Sequence, residues 1–178
     1  GWTVMAQGDR LEQQVPPNNE EAEQAVLGAI FLDPDLIVQT MALLQPDDFY
    51  RRAHQVLFQT MIELNDRGAA IDVITMRDEL QRQNHLEDIG GLVYLSQLAV
   101  ITPTTRHLTY YAKIVAEKAM LRRLIKAATQ IVTQSYQQQD QPDLLLDQAE
   151  QAIMDVGQNR NRNGFKMIRD VLTESLQN

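Results

Sequence analysis

Apolar residues recur at helical spacing along most of this chain, and the breaks between the recurring stretches fall at prolines, glycines and short polar clusters. The segment "PPNNEEAEQAVLGAIF" predicts a helix over about 19–31. Asn18 is placed to cap it, Glu21 stands three residues on as in a capping box, and the acidic first turn suits the helix dipole. Asp33-Pro34 stops that helix and opens a second, through Ile37, Met41 and Leu44, which ends at Pro46. A third, carried by Leu57, Phe58, Met61, Ile62 and Leu64, reaches Gly68, where a left-handed closing residue belongs. "AAIDVI" reads as short and extended, and Thr75 with Asp78 is expected to cap a fourth helix through Met76, Leu80 and Gln83. "EDIGG" is a turn, and "LVYLSQLAV" is a short fifth helix closed before Pro103.

The next element is longer. From Thr104 or Thr105 to about Gln138 nothing breaks the helical pattern, which at 1.5 Å per residue predicts a rod of roughly 50 Å. Met120, Leu124, Ala127 and Ile131 form one apolar stripe; Ile114, Leu121, Ile125, Ala128 and Val132 form a second beside it, together about 160° of arc. Arg122, Lys126, Thr129, Gln130 and Thr133 fill the other side. After the polar turn "QQQDQPD", residues 142–156 put Leu145, Ala149, Ala152, Ile153 and Val156 on one face, so the two helices should close into an antiparallel hairpin. One partner helix covers a seam of roughly 100°, and the bare remainder would forfeit about 1.5–3 kcal/mol per large side chain. A head built from the first hundred residues, with a radius of gyration of about 13 Å, reaches only the base of the rod. The expected cover for the distal half is a second copy of the hairpin, with Leu121, Leu124, Ile125, Ala128, Ile131, Val132, Leu145, Ala149 and Ile153 as the subunit interface.

Beyond the hairpin, "QNRNRNG" reads as a flexible spacer, and "FKMIRDVLTESLQN" sets Phe165, Ile168, Leu172 and Leu176 on one narrow face of a helix suited to docking on another surface. Residues 1–15 lack periodicity and are expected to be a disordered tail, with Gly1–Val4 ahead of Met5 a candidate tag remnant. The predicted layout is all-α: a helical head over 16–103, the hairpin over 104–157, a flexible linker over 158–164 and a linker helix over 165–178.

Composition narrows the chemistry. The 178 residues carry 16 basic and 24 acidic side chains, a formal charge of -8, so the averaged field repels phosphates. The cluster Arg122, Arg123 and Lys126 has no interleaved aromatics and reads as a solvated polar face. No cysteine is present, which excludes disulfides, thiol nucleophiles and thiolate zinc sites and is compatible with a reducing cytoplasm. No apolar run is long enough for a membrane span. There is no P-loop; His54, His85 and His107 share no ligand spacing; and no serine has a histidine or glycine elbow beside it. Asp47 and Asp48 before Phe49 and Tyr50 read as a cap with packing aromatics. No catalytic, cofactor-binding or metal site is expected, and the residues describe an assembly module.

Taken together, "PPNNEEAEQAVLGAIFLD", "PDDFYRRAHQVLF", "DRGAAIDVITM", "IGGLVYLSQL", "YYAKIVAEKAMLRRLIKAAT" and "GFKMIRDVL" closely resemble the amino-terminal part of the DnaB family of bacterial replicative DNA helicases, from about Val15 to Leu172. The resemblance implies a fragment of a longer protein whose RecA-type motor domain holds ATP and Mg; no cofactor is expected in the present stretch. It implies that hairpins pair into homodimers, that these assemble as a trimer of dimers forming a collar on a hexameric ring, and that the "FKMIRDVL" helix docks on the motor domain of the adjacent subunit. It further implies recruitment of the primase C-terminal domain, with Tyr94, Ile125 and Ile131 as candidate contacts, and contacts with a helicase loader. DNA would be reached only through the motor domain, and no membrane partner is implied. Two rival readings stay open at this point: the helicase-binding C-terminal domain of primase, which has a similar helical head and hairpin, and a direct role on single-stranded DNA.

Overall fold

The computed structural model describes residues 14–177, with side chains described through Gln158 and at Leu172 and Leu176. Seven α-helices follow one another within that span: α1 (Glu20–Leu32), α2 (Leu36–Leu43), α3 (Arg52–Asp66), α4 (Val73–Arg82), α5 (Gly91–Ala99), α6 (Leu108–Gln137) and α7 (Pro142–Gln177), with a 3-10 turn at Pro46–Asp48 and no strand among the described residues. The all-α expectation holds.

Helix ends follow local chemistry. Asn19, in an extended conformation, accepts the Ala22 N–H at 2.9 Å and caps α1; Asn18, the residue expected there, instead turns its amide to the Pro16 carbonyl. Asp33 accepts the Asp35 N–H, and this Asx turn delays α2 to Leu36. Gly68 closes α3 at φ 70, with the Ala69 N–H returning to the Leu64 carbonyl, as expected. For α4 the cap lies earlier than predicted: Asp72 accepts the Thr75 N–H while the Thr75 hydroxyl accepts the Asp72 N–H, so Thr75 completes a capping box from inside the helix, and Val73 and Ile74 of the expected extended stretch are helical. The hydroxyls of Thr102 and Thr104 bond to nearby backbone, which holds the chain in a turn and moves the start of α6 to Leu108.

The core of the head forms around α1, which lies against α2, α3, α5 and α6. Val26, Leu27 and Ile30 from α1, Leu57, Phe58 and Met61 from α3, Met76 and Leu80 from α4, and Leu95 and Leu98 from α5 are fully buried, and the base of α6 adds Leu108, Ala112 and Val115. Gly28 is required by packing: a Cβ there would lie 2.6 Å from Ile101 Cγ2, where the chain leaving α5 crosses α1.

The long helices depart from the expected layout in one respect. Instead of ending near Val156 and giving way to a flexible spacer over 158–164, α7 continues as one helix of 36 residues to Gln177. The spacer has no proline; its asparagines, glutamine and arginines each cost at most about 0.7 kcal/mol in a helix and Gly164 about 1 kcal/mol, which weakens a helix without stopping it. α7 runs along α6 and also reaches α2 of the head. The side chains of Phe165 and Ile168 lie outside the described residues, as do residues 1–13 of the expected tail; Leu172 and Leu176 are exposed.

Candidate interaction surfaces

The distal half of α6 carries an apolar arc that the monomer leaves bare. Leu121, Leu124, Ile125, Ala128 and Val132 fall within about 100° of arc at 100° per residue, and the four large ones are 44%, 37%, 51% and 56% exposed in that order. The residues α6 does bury, Leu108, Ala112, Val115, Ala119 and Ala127, occupy roughly the opposite side. Of the remaining predicted interface residues, Ile131, Leu145 and Ala149 are half-buried and line one groove of about 350 Å³ near the tip of the hairpin, together with Leu146 and Pro142, while Ile153 is exposed. The structure therefore gathers Ile131, Leu145 and Ala149 in the seam between α6 and α7 and sets Leu121, Leu124, Ile125, Ala128 and Val132 on an uncovered face. Tyr136, Leu144 and Met154 add further exposed apolar surface to the hairpin.

The polar side of α6 is not the solvated face that composition suggests. Arg122 donates to the Pro17 and Asp48 carbonyls, each at 2.7 Å, and its guanidinium lies 5.4 Å from the centre of the Tyr50 ring. Arg123 donates to the Asp48 carboxylate at 2.5 Å, and Asp48 also accepts the Gln45 N–H, so it closes the Pro46–Asp48 turn instead of capping α3 as expected. Burial draws the Arg122 guanidinium below its ordinary value, with the Glu23 carboxylate opposing the shift. These two arginines tie the hairpin to the loop between α2 and α3, a contact across more than seventy residues that periodicity could not show. Lys126 remains exposed.

Tyr94, in the first turn of α5, belongs to a polar network inside the head. Glu23 on α1, 1% exposed, accepts the Tyr50 N–H at 2.8 Å and the Arg51 N–H at 3.4 Å, which anchors the backbone leading into α3, and accepts from His54 Nδ1 at 2.7 Å. With the proton on Nδ1, His54 Nε2 accepts the Tyr94 hydroxyl at 2.6 Å, and that oxygen accepts from the Gln24 amide at 3.1 Å, so every donor in the chain of bonds finds an acceptor. The imidazole stacks against the Tyr94 ring at 5.9 Å and the Arg51 guanidinium lies 5.6 Å from it. Gly90, at φ 109, makes room: a Cβ there would stand 2.9 Å from Tyr94 Cβ. Sequence reasoning missed Glu23 and His54. Their signal is two titratable residues at core positions of apolar periodicity, Glu23 beside Ala22 and Val26, and His54 one turn before Leu57 and Phe58.

Among the described residues no group of side chains is arranged to hold a metal ion, and no helix is long and apolar enough to cross a membrane.

Arginines thus tie an all-helical head to a long hairpin that leaves one apolar face uncovered. Residues 15–117 match the family described as "DnaB-like helicase N terminal domain". The chain is 47% identical over 168 residues to the replicative DNA helicase DnaB of Geobacillus stearothermophilus, which covers 94% of this chain and 37% of the relative. Among solved structures it resembles the N-terminal domain of DnaB helicase from Mycobacterium tuberculosis, with a TM-score of 0.75, 42% identity, and coverage of 80% of this chain and 99% of that one. It also resembles a DnaB-like replicative helicase described with its interactions with primase, with a TM-score of 0.65, 28% identity, and coverage of 78% of this chain and 31% of that one. The chain belongs to the DnaB-like helicase N-terminal domain family. The chain spans 37% of the length of the Geobacillus relative, and the family assignment sets aside the reading as a domain of primase.

Proposed function

We propose that this chain is the collar module of a hexameric replicative DNA helicase, acting through protein–protein contacts in the cytoplasm. The carrying observation is the bare apolar arc of α6: Leu121, Leu124, Ile125 and Val132 are too exposed for an isolated hairpin and suit a second hairpin laid against them. Paired hairpins then build a trimer of dimers. ATP and Mg serve the motor domain of the parent helicase, which contacts DNA, and the helical segment carrying Phe165, Ile168, Leu172 and Leu176 docks on the motor domain of the adjacent subunit. The collar also receives the C-terminal domain of primase, with Tyr94, Ile125 and Ile131 in the docking surface, and takes part in loader contacts. Primase as partner is supported by the solved relative described with primase, and the formal charge of -8 disfavours a direct role on single-stranded DNA.

Calorimetric titration of this chain with the C-terminal domain of the same bacterium's primase tests the docking role. Saturable binding that Tyr94→Ala and Ile125→Ala each weaken is the expected result. Absence of binding, or affinity for single-stranded DNA that persists at moderate salt, contradicts it.

A further inference from the structure

Glu23 and His54 are ionisable side chains 2% and 0% exposed, placed where an apolar pair would pack at lower desolvation cost. Anchoring the backbone ahead of α3 explains the carboxylate, since Glu23 takes the Tyr50 and Arg51 N–H groups there. It does not explain the imidazole, whose second nitrogen is spent on Tyr94.

The helix that Tyr94 belongs to needs such an anchor. α5 has nine residues, opens on the left-handed Gly90 and Gly91, and has no side-chain cap on its first turn. Its core anchors, Leu95 and Leu98, lie beyond that turn. Leu92 and Val93, in the same turn as Tyr94, are exposed. What fixes this turn on the head is the Tyr94 side chain: its ring lies beside His54 and Arg51, and its hydroxyl is held by His54 and Gln24.

We infer that the buried Glu23–His54 pair positions the first turn of α5 for the docking of primase: Glu23 orients the imidazole through Nδ1, His54 Nε2 holds the Tyr94 hydroxyl, and the turn thereby presents Leu92, Val93 and the outer part of Tyr94 in one arrangement. This rests on the proposed place of Tyr94 in the primase surface. His54 touches no partner and acts through Tyr94, so the hydroxyl works inside the head, not as a bond to the incoming protein. Holding the turn in its bound arrangement beforehand spares the ordering cost that a mobile turn would add to docking.

Amide substitutions separate the two jobs of the ring, because an asparagine amide occupies the place of Nδ1 and a glutamine amide that of Nε2. His54→Asn keeps a donor for Glu23 and abandons Tyr94; His54→Gln keeps an acceptor for the Tyr94 hydroxyl and abandons Glu23; Tyr94→Phe removes the hydroxyl alone. The dissociation constant of this chain for the primase C-terminal domain is measured for each, with thermal midpoint and helical circular dichroism as checks of folding. Loss of one hydrogen bond predicts that Tyr94→Phe and His54→Asn each weaken binding roughly three- to tenfold, and that His54→Gln stays within about twofold of the unchanged chain whatever its thermal midpoint. A merely structural histidine would instead move the midpoint and leave the affinity of the folded protein alone. Should a His54 variant fail to fold, Tyr94→Phe decides: unchanged affinity overturns the inference and a loss in the stated range supports it. Tyr94→Phe and His54→Asn binding normally while Tyr94→Ala does not would overturn the positioning role and leave the docking surface standing. Normal binding by Tyr94→Ala would overturn the docking surface and the inference with it.

Discussion

The head and the outer half of the hairpin are made from the same kinds of side chains, and one helix passes through both. Where α6 crosses the head, Leu108, Ala112, Val115 and Ala119 are buried; from Leu121 onward its apolar residues are mostly bare. The sequence pattern is equally regular on both sides of that point, so periodicity states that a face requires cover and says nothing about which molecule provides it. In the head, α1 to α5 supply the cover within one chain. Past Ala119, α7 fills one flank, the Pro46–Asp48 turn meets Arg122 and Arg123, and the arc of Leu121, Leu124, Ile125 and Val132 stays exposed.

That contrast predicts different consequences for similar substitutions. The largest is in the head: Phe58→Ala removes a fully buried ring in contact with Phe49 and should cost about 3–5 kcal/mol in urea unfolding. Val132→Asp, on the bare face, should change the stability of the isolated chain by no more than about 0.5 kcal/mol while abolishing self-association in light scattering. A comparable loss of stability in both variants would erase the distinction between the regions.

The joint between them gives a middle-sized effect. Arg122→Met keeps an unbranched stem of similar length and loses two charged hydrogen bonds to backbone carbonyls, for an expected cost of about 1.5–3 kcal/mol by urea unfolding. An effect near zero would show that the hairpin sits on the head without this grip. The smallest effect concerns pH. The Arg82 and Arg67 guanidiniums beside Glu79 hold its carboxyl at about 2, against an ordinary 4.5. Because the folded value is the lower one, the contribution of Glu79 is full above about 4.5 and is lost as pH falls toward 2. Glu79→Gln should therefore flatten the acid side of a stability-against-pH curve between those values, without altering the mass of any assembly.

What could be read in the sequence was whatever local chemistry decides. Gly68 ended its helix, Pro103 stood beyond the end of α5, and the exposed arc of Leu121, Leu124, Ile125 and Val132 was traceable from spacing. Adjacent asparagines made the cap of α1 ambiguous by one residue, and a polar segment without proline at 158–163 was compatible with either coil or helix. Two features were out of reach because they join distant segments. Arg122 meets Asp48 across 74 positions, and Tyr94 meets His54 across 40, so the arginine read as solvated and the histidine as ordinary until the fold brought them to their partners. The family assignment carries no information about either contact.

The measurement that bears most directly on the bare face of α6 is the absolute mass of the chain by light scattering after size exclusion, from micromolar concentration upward, beside Val132→Asp. A dimer or hexamer for the unchanged chain and a 20.3 kDa monomer for the variant is the predicted result. A strict monomer for both, at every concentration, would contradict hairpin pairing and leave the exposed arc without the partner assigned to it.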